Sequence, residues 1–145
     1  MAIQNRIVTV LLRSPFHRML SRSVDVIRYR GRRTGREFVT PTQYVRHGDD
    51  VVILVGRPES KTWWRNFRDG HDLDVLLDRQ WVPMRGQVIT GAESPEEIAP
   101  LVNAYLERFP SARRSLTSGV SSAVVVLASP RQPEPFDDQT TGEHP

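Results

Sequence analysis

From residue 24 to residue 90 the apolar residues come in short runs, and most gaps between those runs are too short to carry the chain across a sheet. VDVIRYR (24–30), EFVTPTQYVR (37–46) and VVILVG (51–56) are separated by GRRTGR (31–36) and HGDD (47–50), each a glycine-bearing turn. LDVLLD (73–78) is followed almost at once by QWVPMRGQVIT (80–90). A parallel neighbour needs a crossover of roughly a dozen residues or more, so gaps like these permit only hairpins. The pattern predicts a mainly β, antiparallel fold and excludes a doubly wound α/β sheet.

The remaining elements fit round that core. Pro41 lies inside a strand and cannot donate to a ladder, so its strand belongs at an edge or at a bulge. VVILVG is almost continuously apolar, as expected of a strand buried on both faces. SSAVVVLA (121–128) reads as a sixth and last buried strand. Residues 62–70 suggest a short helix with Thr62 as a cap and Gly70 as the stop. Ser94, Pro95 and Glu97 form a capping-box signature that opens a helix ending near Phe109, with an unexplained Pro100 inside it. Residues 3–20 carry Ile3, Ile7, Val10 and Leu11 on one helical face, with Phe16, Met19 and Leu20 beyond a break at Pro15. Residues 129–145 hold prolines and four acids without an apolar period, which reads as a disordered tail. The division expected is an N-terminal amphipathic helical segment (1–22), a β domain (23–128) and a tail (129–145).

The 145 residues contain no Cys, which removes disulfide scaffolds, thiolate zinc sites, iron–sulfur clusters and cysteine nucleophiles. The four His share no ligand spacing, so no metal is expected. No nucleophile elbow, Walker loop or dinucleotide fingerprint is present, and nothing announces a nucleophile supplied by the protein. No apolar run reaches the ~20 residues of a membrane span, and no cleavable leader is visible. The expectation is a cytoplasmic chain, with the basic helix carrying Arg6, Arg13, Arg18 and Arg22 as the segment able to touch a membrane surface.

Charge is the second constraint. Of the 20 basic residues 19 are Arg and one is Lys61, and residues 1–36 hold nine Arg against one acid, Asp25. Five of those arginines fall within residues 28–36. A turn bounded by glycines can aim successive backbone N–H groups at an anion, and guanidinium groups then clamp its oxygens bidentately. The bland alternative is a solvated hairpin turn. The other notable stretch is GRPESKTWWRNF (56–67): a buried strand ends in a glycine that lets a ligand approach the backbone, and two Trp follow. Adjacent Trp cannot both face the core of one helix, so one belongs to a cleft rim. Arg beside aromatics also suits single-stranded nucleic acid, but clustering on one turn favours a compact anion, so no nucleic acid is expected.

Three blocks in order, SPFHRMLSR with YRGRRTGR, then Thr40-Pro41 with VVILVG, then RPESKTWWRNFRDG, resemble the deazaflavin-dependent nitroreductase family of flavin and deazaflavin split β-barrel oxidoreductases. The resemblance spans roughly residues 14–128 and implies a six-stranded antiparallel split barrel that binds coenzyme F420, with FMN as the alternative. It implies that Arg32, Arg33, Thr34, Gly35 and Arg36 bind the phosphate and oligoglutamate tail, that Thr40 and Pro41 line the ring, and that Val55, Gly56, Arg57 and Lys61 flank ring and phosphate. Trp64 and Asn66 are assigned to the family's W-x-x-N-L helix, with Phe67 in place of Leu, although the motif's three-residue spacing back from Asn66 reaches Trp63. The implied activity is hydride transfer from the reduced deazaflavin to a quinone, an enone or a nitro compound. The cofactor holds the chemistry, so the proton comes from solvent or from Tyr44 or Tyr105. A non-catalytic cofactor carrier is the competing reading, and monomer and homodimer are both open. Aromatic residues that shape the family's substrate pocket near the termini have no match here, so the cofactor carries over better than the substrate.

Overall fold

The structure is a computed structural model, and it describes residues 24–131. The expected N-terminal helix with its membrane contact, and the tail from residue 132, lie outside the described residues. Seven strands run β1 (Val24–Arg30), β2 (Glu37–Gln43), β3 (Val45–His47), β4 (Asp50–Leu54), β5 (His71–Leu77), β6 (Gln80–Thr90) and β7 (Val124–Pro130). One α-helix, α1 (Pro95–Arg108), lies between β6 and β7, and short 3₁₀ helices fill Trp63–Phe67 and Pro110–Ser115.

All pairings are antiparallel, in the order β2-β1-β5-β6-β7-β4-β3. The strand count corrects the expected six to seven. The run 37–46 does not form one strand but breaks at Tyr44, and its halves become the two opposite edges of the sheet. Consecutive residues can occupy opposite edges only if the sheet curls until those edges meet, which makes it a half-barrel. Pro41 lies on β2, an edge strand, as its missing N–H requires.

The curl produces two cores. Val51, Ile53 and Val55 point into the inner one with Ile27, Phe67, Val75 and Val126. Val52 and Leu54 point the other way, against Ile98, Leu101, Val102 and Tyr105 of α1. Alternate residues of one strand thus serve both cores, which is why VVILVG lacks a polar face. Phe67 is fully buried in an aromatic cluster with Tyr29, Trp63 and His71.

The helix begins where the sequence indicates, but Ser94 makes no side-chain cap bond, so the capping box does not close. Pro100 and Glu96 are both exposed, so the carbonyl that the proline leaves without an amide partner lies on the solvent side. The last strand runs three residues later than expected at its start and two later at its end. Past its end, Arg131 and Arg85 donate to Asp72 at 2.7 and 3.0 Å. Burial pushes the Asp72 carboxyl up, but the hydrogen bonds from Arg131 and Arg85 outweigh it and hold the group below its ordinary value. A folded pKa below the unfolded one gives stability present above about pH 4 and lost as pH falls through the depressed value. The carboxylate is half exposed, so we expect Asp72→Asn to cost under about 1 kcal/mol at neutral pH. That difference should vanish in acid, as urea denaturation across pH would show.

Candidate functional site

The basic turn between β1 and β2 is fixed by its backbone: Gly31 N–H donates to the Arg36 carbonyl at 2.7 Å, and Gly35 N–H to the Gly31 carbonyl at 2.9 Å. Gly35 has φ +71°, a left-handed conformation that side chains resist. Asn66 ties this turn to the 3₁₀ helix across the sequence. Its Oδ1 accepts from Arg32 N–H at 3.0 Å, and its Nδ2 donates to the Trp63 carbonyl at 2.8 Å. Arg32 Nη1 also donates to the Arg65 carbonyl at 3.1 Å. Between turn and helix opens a cavity of about 340 Å³ lined by Gly31, Arg32, Arg33, Thr34, Phe38, Thr62, Arg65 and Asn66. Three of these are arginines, and none of the described lining residues is a carboxylate. Arg65 Nε is buried there with no hydrogen-bond partner.

A second cavity, of about 330 Å³, lies further along the same elements. Pro41, Thr42 and Gln43 continue β2, Ile53 and Leu54 end β4 with Val55 and Gly56 just beyond it, Lys61 precedes the 3₁₀ helix and Trp63 opens it. Tyr105, Ala112 and Ser115 close the far wall. Most of its lining residues are apolar, and it holds one charged residue, Lys61, where the first holds three arginines. A Cβ built on Gly56 would meet only Lys61 Nζ, at 3.8 Å, so the backbone at the end of β4 stays open to a flat group. β2 runs from Phe38 in one cavity to Pro41 in the other, and Lys61-Thr62 bridges them on the opposite side.

The fold therefore brings Arg32, Arg33, Thr34 and Asn66 to the basic cavity, and Pro41, Val55, Gly56, Lys61 and Tyr105 to the apolar one. Gly35 and Arg36 sit on the turn without lining either. Arg57 is exposed, at φ 51°, just after Gly56. Thr40 is hydrogen-bonded to Tyr29, whose phenol burial pushes up while that bond opposes the shift. Tyr44 packs against the inner core. Trp64 is 5% exposed and its Nε1 donates to the Pro58 carbonyl at 2.9 Å, so it clasps the 57–62 loop, and Trp63 is the one facing a cavity. Phe38, Thr42, Gln43, Arg65, Ala112 and Ser115 are not marked as site residues by the sequence, Thr62 is marked only as a helix cap, and Trp63 only as one of two candidates for a cleft rim. Thr62 and Arg65 lie within an already suspicious segment, whereas Ala112 and Ser115 give no signal at all.

The sequence profile of F420H(2)-dependent quinone reductases matches residues 15–128. The chain belongs to that family. It is similar to Rv3178 of Mycobacterium tuberculosis, a protein named provisionally as an F420H(2)-dependent quinone reductase, at 25% identity over 73% of this chain and 88% of that one. Among solved structures it is similar to an F420-H2 dependent reductase, FDR-A, at TM-score 0.63 and 16% identity, covering 74% of this chain and 95% of that one. HutZ, the heme storage protein of Vibrio cholerae, matches at TM-score 0.58 and 12% identity over 83% and 91%, a likeness of fold alone. Family membership makes the chain an oxidoreductase with coenzyme F420 as its cofactor. The family shown is the quinone-reductase one, where the motifs by themselves resemble the nitroreductases.

The residues present fit that cofactor. Coenzyme F420 carries a phosphodiester and an oligoglutamate tail, and the basic cavity offers arginines that no carboxylate neutralises: no ion pair joins Arg32, Arg33 or Arg65 to an acid among the described residues. The buried, unpartnered Arg65 Nε is a donor awaiting an acceptor. The backbone at Gly56, approached by nothing but the flexible Lys61 amine, suits a flat ring.

Proposed function

We propose that the protein reduces a quinone, with the anionic end of the cofactor in the arginine-lined cavity and its ring beside the acceptor in the apolar one. The observation that carries this reading is the adjacency of the two cavities along β2 and the 57–66 segment, one basic and one apolar. Bound in its reduced form, the deazaflavin supplies a hydride. The protein's part is to bind and orient. Arg32, Arg33 and Arg65 hold the anion, and Thr34 adds a hydroxyl donor. Pro41, Val55 and Gly56 pack against the ring. Trp63 and Tyr105 form apolar walls that keep water from the hydride and suit a flat, uncharged acceptor. The small Ala112 and Ser115 leave that acceptor room.

A quinone is favoured over a nitro compound or an enone by the family. The test is steady-state oxidation of reduced F420 by a panel of the three acceptor classes. Quinones are expected to give the highest kcat/KM. A nitro compound or enone ahead of every quinone would overturn the acceptor assignment and leave the cofactor reading in place. No turnover with any acceptor would instead favour a cofactor carrier.

A further inference from the structure

Lys61 stands apart from every other base in the chain. It is the one Lys among 20 basic residues. It does not join the arginines of the basic cavity, where a phosphate contact would place it, but lines the apolar one. Among the described residues lining that cavity it is the only charged group. No carboxylate pairs with it among the described residues. Its Nζ lies 3.8 Å from the position a Gly56 Cβ would take, so the amine is folded back over Gly56, just past β4. Its backbone is anchored: Lys61 N–H donates to the Pro58 carbonyl at 3.2 Å, and the Trp64 indole donates to that same carbonyl.

The residue type matters here. Arginine cannot give up a proton in a protein, whereas an ammonium can. Ser115, another O–H on the cavity wall, already donates to the Ala112 carbonyl at 2.7 Å. Tyr105 is buried in the helix core with its ring 5.0 Å from that of Phe109.

We propose that Lys61 is a catalytic residue, the proton donor that completes acceptor reduction. This rests on the quinone reading above. Hydride uptake from the reduced deazaflavin, which is thereby oxidised, converts the quinone to a hydroquinone monoanion. One N–H bond of the Lys61 ammonium then breaks as the O–H bond of the hydroquinone forms. The neutral amine is recharged by a proton from water. Before transfer, the positive charge attracts the developing oxyanion.

Three proteins decide it: wild type, Lys61→Met and Lys61→Arg. Binding is read first, without turnover, on protein loaded with oxidised F420. The probe is 2-hydroxy-1,4-naphthoquinone, an anion at neutral pH, followed by quenching of tryptophan fluorescence, since Trp63 lies in the cavity. Lys61→Met should bind the anion at least about tenfold more weakly, with affinity for uncharged 1,4-naphthoquinone little changed, and Lys61→Arg should retain the anion. In turnover with a quinone, both variants should lose kcat by on the order of a hundredfold, the scale of general acid catalysis. Wild-type kcat in Lys61→Met, or full rescue of kcat by Lys61→Arg, would overturn proton donation by this residue. A wild type that reduces no quinone would instead overturn the acceptor reading, and this proposal with it.

Discussion

Replacing Arg32 and Arg33 together with alanine is expected to weaken binding of oxidised coenzyme F420 about a hundredfold while leaving the fold intact. The magnitude follows from two charge-assisted hydrogen-bonding groups, each worth about 1.5–3 kcal/mol to a charged partner, reduced by the arginines that remain. The fold should survive because the bonds that shape the turn are backbone ones. Gly31 to Arg36, Gly35 to Gly31, and Arg32 N–H to Asn66 Oδ1 do not need either guanidinium. Only the bond from Arg32 Nη1 to the Arg65 carbonyl is lost, a cost of about 1 kcal/mol. Fluorescence titration and thermal melting of the same preparation separate the two effects. Unchanged affinity, or a collapsed fold, would remove this turn as the anion site.

The largest expected effect on stability lies elsewhere. Gly91, buried at the end of β6, donates its N–H to the Ala123 carbonyl at 2.9 Å. A Cβ there would sit 1.7 Å from the Val120 carbonyl oxygen and 2.7 Å from its carbon. Backbone, not a flexible side-chain tip, stands in the way, so the segment leading into β7 has to move. We expect Gly91→Ala to destabilise the protein by about 3 kcal/mol or more, at the upper end of overpacking effects. Gly48→Ala is the control. Its φ is +63° but nothing lies within 4 Å, so only backbone strain of about 1 kcal/mol is at stake. The displaced segment follows the stretch carrying Ala112 and Ser115, so Gly91→Ala should also perturb the acceptor cavity. Urea denaturation of the three proteins measures the ranking, and equal stability of Gly91→Ala and wild type would contradict this packing.

What could be read from the sequence was what local chemistry decides. Short gaps forced hairpins, Pro41 marked an edge, and the unbroken apolar run of β4 announced burial on both faces. The break at Tyr44 escaped because nothing local distinguishes a strand that continues from one whose halves join opposite edges of a curled sheet. That is a property of closure, decided by residues far apart in the chain. The same limit governs the site. Arginines crowded on a turn declare themselves, and the Gly56–Phe67 stretch shows its glycine and its tryptophans. Which Trp faces a cavity depends on the clasp from Trp64 to Pro58, and the structural task of Asn66 depends on a turn 34 residues away. Ala112 and Ser115 are small residues in an irregular segment, and only the folding of that segment onto the sheet brings them beside Lys61 and Trp63.

An arginine-lined cavity and a second cavity further along β2 are expected to hold a flat cofactor with a long anionic tail. The most direct test is titration of the purified chain with oxidised coenzyme F420 and, separately, with FMN, each followed by its own fluorescence. FMN ends in a phosphate and lacks the glutamate tail, so it leaves part of the arginine cluster unused. Saturable binding of F420, clearly tighter than that of FMN, is the predicted result. FMN bound as tightly or more tightly, or no saturable binding of F420, would contradict it.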